Sequence, residues 1–351
     1  NIQKQVSLCY KKLSMSKKNS NVILKNRFKN FEDLSFTYIE FKKKLNKLKA
    51  NSFVVAISGG PDSLALAALT KAYSFEKKLK FYYVLIDHNI RKNSSTEANQ
   101  VKKLLAKHNI SLSVIFNKEK IKNNIQSTAR QIRYKLLSNF CLQKKIKTIL
   151  TAHNLEDQVE TFFIRLSRGS GLSGLSAMKM LNKINSKIQL YRPLLDVKKK
   201  ILTKISKKVF NKFFLDPSNK DKKYLRTKIR NLKKPLRQSG IDYDQIFKSI
   251  NNLASSKATL EQYFKNISSK IIKKTRGEIK INLKELNHYN NETKIMIINK
   301  SIKTLKKNYY NPRSKKVERL VKNIISKRFK KATLGGCLFS VKKDQLCLKK
   351  E

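Results

Sequence analysis

Hydrophobic positions along this chain alternate between two spacings. Phe53–Ile57, Phe81–Ile86, Leu112–Phe116 and Thr148–Thr151 are short runs rich in Val, Ile and aromatic residues, as expected of strands buried on both faces. Around them, Asp62–Tyr73, Thr96–His108, Ile125–Cys141 and Leu155–Leu166 carry apolar residues three and four apart and predict helices. The same spacing at Phe31, Leu34, Tyr38, Phe41, Leu45 and Leu48 predicts one more helix ahead of the first strand. Strand and helix in alternation imply right-handed crossovers, hence an α/β fold with a parallel, Rossmann-like sheet covered on both faces.

From about Ile241 the pattern changes to Lys-studded amphipathic stretches, Tyr243–Ala254, Ala258–Ile272, Lys294–Leu305 and Lys315–Phe329. Near the end, Leu338–Lys343 and Gln345–Lys350 flank Lys343-Asp344 and predict a β-hairpin after Gly335-Gly336. The organisation expected is a basic N-terminal extension over 1–30, an α/β domain over 31–235, and a smaller, mainly helical basic domain over 241–351.

Ligands of open parallel sheets sit beyond the carboxyl ends of the strands. The first strand is followed there by Ser58-Gly59-Gly60-Pro61-Asp62-Ser63, the second by Asp87-His88-Asn89-Ile90-Arg91, and the fourth by His153-Asn154-Leu155-Glu156-Asp157. The third offers only Asn117-Lys118. Ionisable or phosphate-friendly residues at several strand ends predict one shared nucleotide site. Ser58–Ser63 is its core: a glycine turn leading into a helix presents free backbone N–H groups and the positive end of the helix dipole to an anion. Gly59 and Gly60 permit positive φ and close approach, and Pro61 suits the first helical turn. The plainer alternative is an ordinary βα turn capped by Asp62 or Ser63. No lysine stands beside the glycines, so this is not the Gly-Lys-Ser/Thr phosphate loop. Ser-Gly-Gly-x-Asp-Ser after a hydrophobic strand resembles instead the signature of the N-type ATP pyrophosphatases, the PP-loop superfamily, which split ATP between the α and β phosphates.

Charge adds a partner. The 351 residues hold 80 Lys+Arg against 23 Asp+Glu, a formal net charge of +57 spread along the chain, which favours polyanions and nucleic acid first. A Lys/Asn-rich composition bias inflates the figure, and anionic membrane surfaces compete as partners, but no run reaches the length of a transmembrane helix. Cys9, Cys141, Cys337 and Cys347 are scattered, which argues against zinc and a disulfide framework and fits a reducing compartment. Residues 1–30 contain no acid and a single arginine, Arg27, and Met15 is an alternative start; a transit peptide is the lesser reading. The compartment expected is the cytoplasm, with an organelle matrix or stroma as the alternative.

Arginine stands out where the chain otherwise prefers lysine. Arg130 and Arg133 lie one helical turn apart, as do Arg226 and Arg230, and retained arginine suggests bidentate phosphate contacts; solvated helix faces are the alternative. Asp157 with Asp62 offers oxygen ligands to Mg²⁺ on ATP phosphates, against a plain first-turn role beside an Asn154 cap. Gly169-Ser-Gly171-Leu-Ser-Gly174 matches G-x-G-x-x-G but follows a helix, so a flexible loop closing on the site is expected in place of a dinucleotide fingerprint.

Together these segments resemble the tRNA(Ile)-lysidine synthase family. The likeness is carried by Ile86-Asp-His-Asn-Ile-Arg91, Ala129-Arg130-Gln-Ile-Arg133-Tyr134, Leu150-Thr-Ala-His153 and Glu156-Asp157-Gln-Val-Glu160-Thr161. It continues through Arg165-Leu-Ser-Arg168-Gly-Ser-Gly-Leu-Ser-Gly-Leu175, Arg192-Pro-Leu-Leu195 and Asp216-Pro-Ser-Asn219 to Arg230. Departures are Asn154, where the family often has a second histidine, and Phe214, near which it often has Trp. The resemblance implies ATP-dependent ligation of free lysine to carbon-2 of the wobble cytidine of tRNA(Ile) with anticodon CAU, through an adenylated tRNA. It implies ATP and Mg²⁺ as cofactors, phosphate binding by Ser58–Ser63, and metal binding by Asp62 and Asp157. Arg130, Arg133, Arg226 and Arg230 would meet phosphates or the activated base, while Asp87, His88 and Glu160 would line the lysine and cytidine pocket. Self-association as a homodimer is left open. Two other readings remain: a PP-loop tRNA thiolase, which needs paired or reactive cysteines, and a non-catalytic RNA-binding protein, for which an intact Ser58–Ser63 is unexpected.

Overall fold

The computed structural model describes residues 32–90, 93–119, 121, 125–215, 221, 223–306, 314–326 and 329–351. The N-terminal extension, Arg91 and the Asp216–Asn219 block lie outside these. The chain divides into two compact units, up to Asn251 and from Asn252.

The first unit is built on a six-stranded sheet in the order β3-β2-β1-β4-β6-β5. Its strands are β1 (Ser52–Ile57), β2 (Lys80–Asp87), β3 (Leu112–Phe116), β4 (Thr148–Leu150), β5 (Leu181–Lys183) and β6 (Gln189–Tyr191). All neighbours run parallel except β5, which pairs antiparallel with β6 at the edge. Alternation along β1 explains why it had to be apolar throughout. Phe53, Val55 and Ile57 enter one core and Val54 enters the core on the other face.

The helices of this unit are α1 (Glu32–Asn46), α2 (Pro61–Glu76), α3 (Ser94–Ala106), α4 (Ile125–Gln143), α5 (Leu155–Leu166), α6 (Leu172–Leu175), α7 (Lys199–Phe210), α8 (Leu225–Asn231) and α9 (Lys233–Gln238). Leu64–Leu69 of α2 is fully buried, so this helix needs apolar residues on every side. Ser206 on α7 ties the two helices by donating its hydroxyl to the Pro61 carbonyl. On the other face of the sheet, Leu137 and Cys141 of α4 pack on Val54, Val84 and Ile149.

Two features depart from the sequence pattern. Tyr243–Ala254 and Ala258–Ile272, expected as separate helices, form one helix, α10 (Tyr243–Ile271), because Ser255-Ser256-Lys257 contains neither Gly nor Pro and serine is only a mild helix breaker. The division between units falls inside α10, later than the 235–241 boundary expected. Tyr243, Ile246 and Ile250 pack on Leu155 and Val159 of α5, which keeps the first turns of α10 with the sheet domain.

The second unit contains the remainder of α10, α11 (Leu283–Asn287), α12 (Asn291–Leu305) and α13 (Ser314–Ile325). It also holds an antiparallel sheet, β7-β8-β11-β10-β9, from β7 (Ile272–Thr275), β8 (Glu278–Asn282), β9 (Lys331–Leu334), β10 (Cys337–Lys342) and β11 (Gln345–Lys350). β10 and β11 pair across Lys343-Asp344. Within this sheet β8 does alternate, with Ile279 and Ile281 buried between polar residues, but over only five residues, and β7 and β9 are four residues each, too short to stand out from the lysine-rich sequence around them. Its core joins Ile279, Ile281, Phe339 and Leu348 of the sheet to Ile297, Ile298 and Val317 of the helices. Among the described residues no helix is long and apolar enough to cross a membrane.

Candidate active site

β1 leads to β2 and β3 on one side of the sheet, whereas its other neighbour, β4, leads to β6. Such a reversal of strand order leaves a crevice beyond the carboxyl ends of the two central strands. Ser58–Ser63 starts there. Gly59 has φ +80°, and a Cβ on it would lie 2.6 Å from Val101 Cγ2, so only glycine fits. Its carbonyl accepts the Phe214 N–H at 3.0 Å. Gly60, expected to share that freedom, is in extended backbone (φ −73°) as the N-cap of α2, with Pro61 opening the helix. Ser63 Oγ donates to the Gly60 carbonyl at 3.0 Å and accepts the Ser58 N–H at 3.1 Å, closing the loop on itself.

One cavity of about 290 Å³ collects Ser58, Asp62, Ser63, Arg130, Arg133, Asp157, Arg226 and Arg230, together with Tyr134, Thr151 and His153. Residues expected from two separate strand ends, those of β1 and β4, and from two arginine-bearing helices therefore converge. Asp62 is strongly perturbed. Burial pushes its carboxyl up to about 7, Asp157 and Glu156 add to the rise, and Lys199 partly offsets it. Its Oδ1 is buried without a hydrogen-bond partner. Asp157 combines the two readings given to it. Its Oδ2 accepts the Asn154 N–H at 3.1 Å while its own N–H donates to Asn154 Oδ1 at 3.0 Å, a reciprocal cap on α5. The other oxygen, Oδ1, lies 3.5 Å from Arg226.

Glu160 is not in this lining. It is buried, and its carboxylate accepts from Arg226 Nε at 2.8 Å and Arg230 Nε at 2.6 Å, so it fixes both arginines of α8. On α4, the Arg130 guanidinium lies 5.1 Å from the Tyr134 ring centroid. Asp87 and His88 lie in an adjoining cavity of about 160 Å³ that shares Ser58, Ile57 and Arg133 with the first. Asp87 is committed internally: Oδ1 accepts the Asn89 N–H and Oδ2 the Ser95 hydroxyl. Burial works against its charge, but these hydrogen bonds hold the carboxyl below its ordinary value. Burial, then the Arg133 charge, brings the His88 imidazole down to about 4, and both its ring nitrogens are buried without partners.

Gly169–Gly174 does not line the cavity. α5 ends at Leu166, Gly171 caps the single turn of α6, and Arg165 donates to the Gly174 and Ala177 carbonyls at 2.6 and 2.8 Å. The segment is thus pinned, where a loop closing on the site was expected. Three residues at or near the site have no role in the sequence pattern. His153, which shares a 2.9 Å hydrogen bond with Thr151 Oγ1, is held neutral by burial and by the charges of Arg192, Arg130 and Arg226. Its place directly after β4 was the available signal. Arg192 follows β6, a three-residue strand too short to be recognised, and is buried with its terminal nitrogen donating to the Lys179 carbonyl at 2.8 Å. Lys199 opens α7, a helix the pattern did not single out.

The parallel sheet, its switch point and the glycine turn at the head of α2 define a PP-loop domain, and the model of the PP-loop domain family matches residues 35–236. A tRNA(Ile)-lysidine synthase of Wolbachia pipientis is 34% identical over 294 residues, covering 82% of this chain and 68% of that protein. One of Rickettsia felis is 31% identical over 323 residues, covering 90% and 74%. The chain belongs to the tRNA(Ile)-lysidine synthase family. Among solved structures, a U34-tRNA thiolase of Methanococcus maripaludis with its [4Fe–4S] cluster shares the fold at TM-score 0.54 and 18% identity, covering 64% of this chain and 79% of that one.

Proposed function

We propose that this protein joins free L-lysine to carbon-2 of the wobble cytidine of tRNA(Ile) with anticodon CAU, consuming ATP and forming lysidine through an adenylated tRNA. The observation carrying this reading is the gathering of the glycine turn, Asp62, Asp157 and both arginine pairs around one cavity at the switch point. In the first step the cytidine carbonyl oxygen attacks the α-phosphorus, a P–O bond forms, and the bond to the bridging oxygen breaks to release pyrophosphate. In the second, the ε-nitrogen of lysine, deprotonated, bonds to carbon-2, and the C–O bond breaks with AMP carrying the oxygen away.

The chain's contribution is electrostatic. The first N–H groups of α2, with Ser58 and Ser63, bind phosphate oxygens. Arg130 and Arg133 on α4 and Arg226 and Arg230 on α8 stabilise negative charge on the departing groups. Glu160 acts through the α8 arginines as a positioning residue. The unpartnered, buried Oδ1 of Asp62 and the second oxygen of Asp157 fit Mg²⁺, which takes one or two carboxylates besides substrate phosphates. When bound, the ion neutralises phosphate charge. The cavity beside Ser58, with apolar walls including Leu85, Val101 and Phe214 and the neutral His88 ring, suits a flat base. Sulfur transfer is disfavoured, because the described cysteines, Cys141, Cys337 and Cys347, are all buried and burial pushes the Cys141 thiol up to about 12.

The test is incubation of the protein with ATP, Mg²⁺, labelled lysine and unmodified CAU-anticodon tRNA(Ile). Stoichiometric transfer of label to the tRNA with release of AMP and pyrophosphate is expected. Sulfur or another amine in place of lysine would overturn the reading.

A further inference from the structure

A larger cavity, about 810 Å³, adjoins the catalytic one, and Arg230 lines both. One wall is a face of α7 carrying Lys200, Lys204, Lys207 and Lys208. The opposite face, Leu202, Ile205, Val209 and Phe210, is buried in the main core, so a firmly packed helix presents these lysines. From Lys200 to Lys208 the ladder extends about 12 Å along the helix axis. Seven cationic side chains line this cavity against two carboxylates, and both carboxylates are engaged. Glu160 holds Arg226 and Arg230, and Glu156 accepts from Lys233 at 3.2 Å and from the Lys199 N–H at 2.8 Å. The Tyr243 hydroxyl is also buried in this lining with no partner.

We infer that this groove takes the phosphodiester backbone of the RNA strand flanking the base that is modified, an inference that rests on the proposed tRNA substrate. Free lysine, itself a cation, is repelled by such a lining. A lone pyrophosphate needs only a short site, whereas the ladder runs over more than two helical turns. Lysines are strongly hydrated point charges, suited to phosphates met without regard to sequence, and a lone buried hydroxyl completes such a lining as a donor. Concavity and continuity with the catalytic cavity at Arg230 separate this face from the ordinary solvated lysines of a basic chain.

The experiment combines Lys200→Gln, Lys204→Gln, Lys207→Gln and Lys208→Gln in the full chain, beside a set with Glu at the same positions. Melting temperature serves as the folding control. Affinity for unmodified CAU-anticodon tRNA is measured across a salt series, with Michaelis constants for ATP and lysine measured in parallel. Loss of two phosphate contacts should weaken RNA binding about tenfold at moderate salt and flatten the log–log salt slope by about 1.4. The Michaelis constants for ATP and lysine should hold, and the Glu set should weaken RNA binding further. An unchanged affinity and slope in folded variants overturns the inference, as does slowed pyrophosphate release with unaltered RNA binding. If the natural chain binds RNA through these lysines yet transfers no lysine, the proposed reaction falls and the groove assignment stands. If it makes lysidine while the Gln set binds RNA as tightly, only the groove assignment falls.

Discussion

Asp62→Asn should make the protein more stable at neutral pH while abolishing its chemistry. The folded chain holds the Asp62 proton more tightly than the unfolded chain, with the carboxyl at about 7 against an ordinary 3.8, chiefly through burial. Protons bound preferentially by the folded state mean that stability falls as pH rises from about 4 to 7, and the deficit is complete above that range. A displacement of this size corresponds to about 4 kcal/mol at pH 8 and less than half of that at pH 5. Asparagine keeps the shape and removes the charge. Urea unfolding followed by far-ultraviolet circular dichroism should therefore show a gain for the variant that is large at pH 8 and shrinks at pH 5. Mg²⁺ with ATP should narrow the gap by stabilising only the natural chain. A variant no more stable at pH 8, or equally more stable at both pH values, would refute the claim that a buried, ionised Asp62 is held at a cost for function.

Two further outcomes follow from the site. Gly59→Ala meets both a positive φ and a 2.6 Å approach to Val101, and should lower stability by about 2 kcal/mol and abolish ATP-dependent adenylation, whereas at Gly60 the nearest atom to an added Cβ is 3.8 Å away, so Gly60→Ala should melt close to the natural chain. Glu160→Ala leaves Arg226 and Arg230 without their shared carboxylate; both arginines are about one-third exposed, so a loss of about 2 kcal/mol in urea unfolding is expected, below the range for fully buried pairs, with a larger fall in kcat than in ATP affinity. Unchanged turnover in Glu160→Ala would remove that residue as the positioner of the α8 arginines.

Much of the sheet domain was legible because its strands are buried on both faces. Such strands cannot afford polar residues, so Phe53–Ile57 and Phe81–Ile86 announce themselves, and the ends of β1 and β2 fall within one residue of the pattern. β5 and β6 were not legible: three residues each, with β5 fully exposed, they carry too little hydrophobic signal. The hydrophobic pattern divides α10 in two because a polar break resembles a boundary unless its tertiary neighbours are known.

The same division runs through the site. The glycine turn and the residue types after each strand were set by the sequence alone, since only glycine fits the φ of Gly59, and Asp62 and Asp157, in the first turns of the helices that follow β1 and β4, reach a common crevice. The partners of those residues were decided by tertiary structure. That Glu160 clamps Arg226 and Arg230, 66 and 70 residues further on, depends on α8 lying against α5. Asp87 has one oxygen satisfied by Asn89 of its own loop and the other by Ser95 at the head of α3, and the lysines of α7 face a groove that shares Arg230 with the cavity at the switch point. The physical reason is range. Spacing encodes the period of a helix or strand within a few residues, whereas ion pairing, desolvation and concavity depend on groups that are distant in sequence and meet only when the chain is packed.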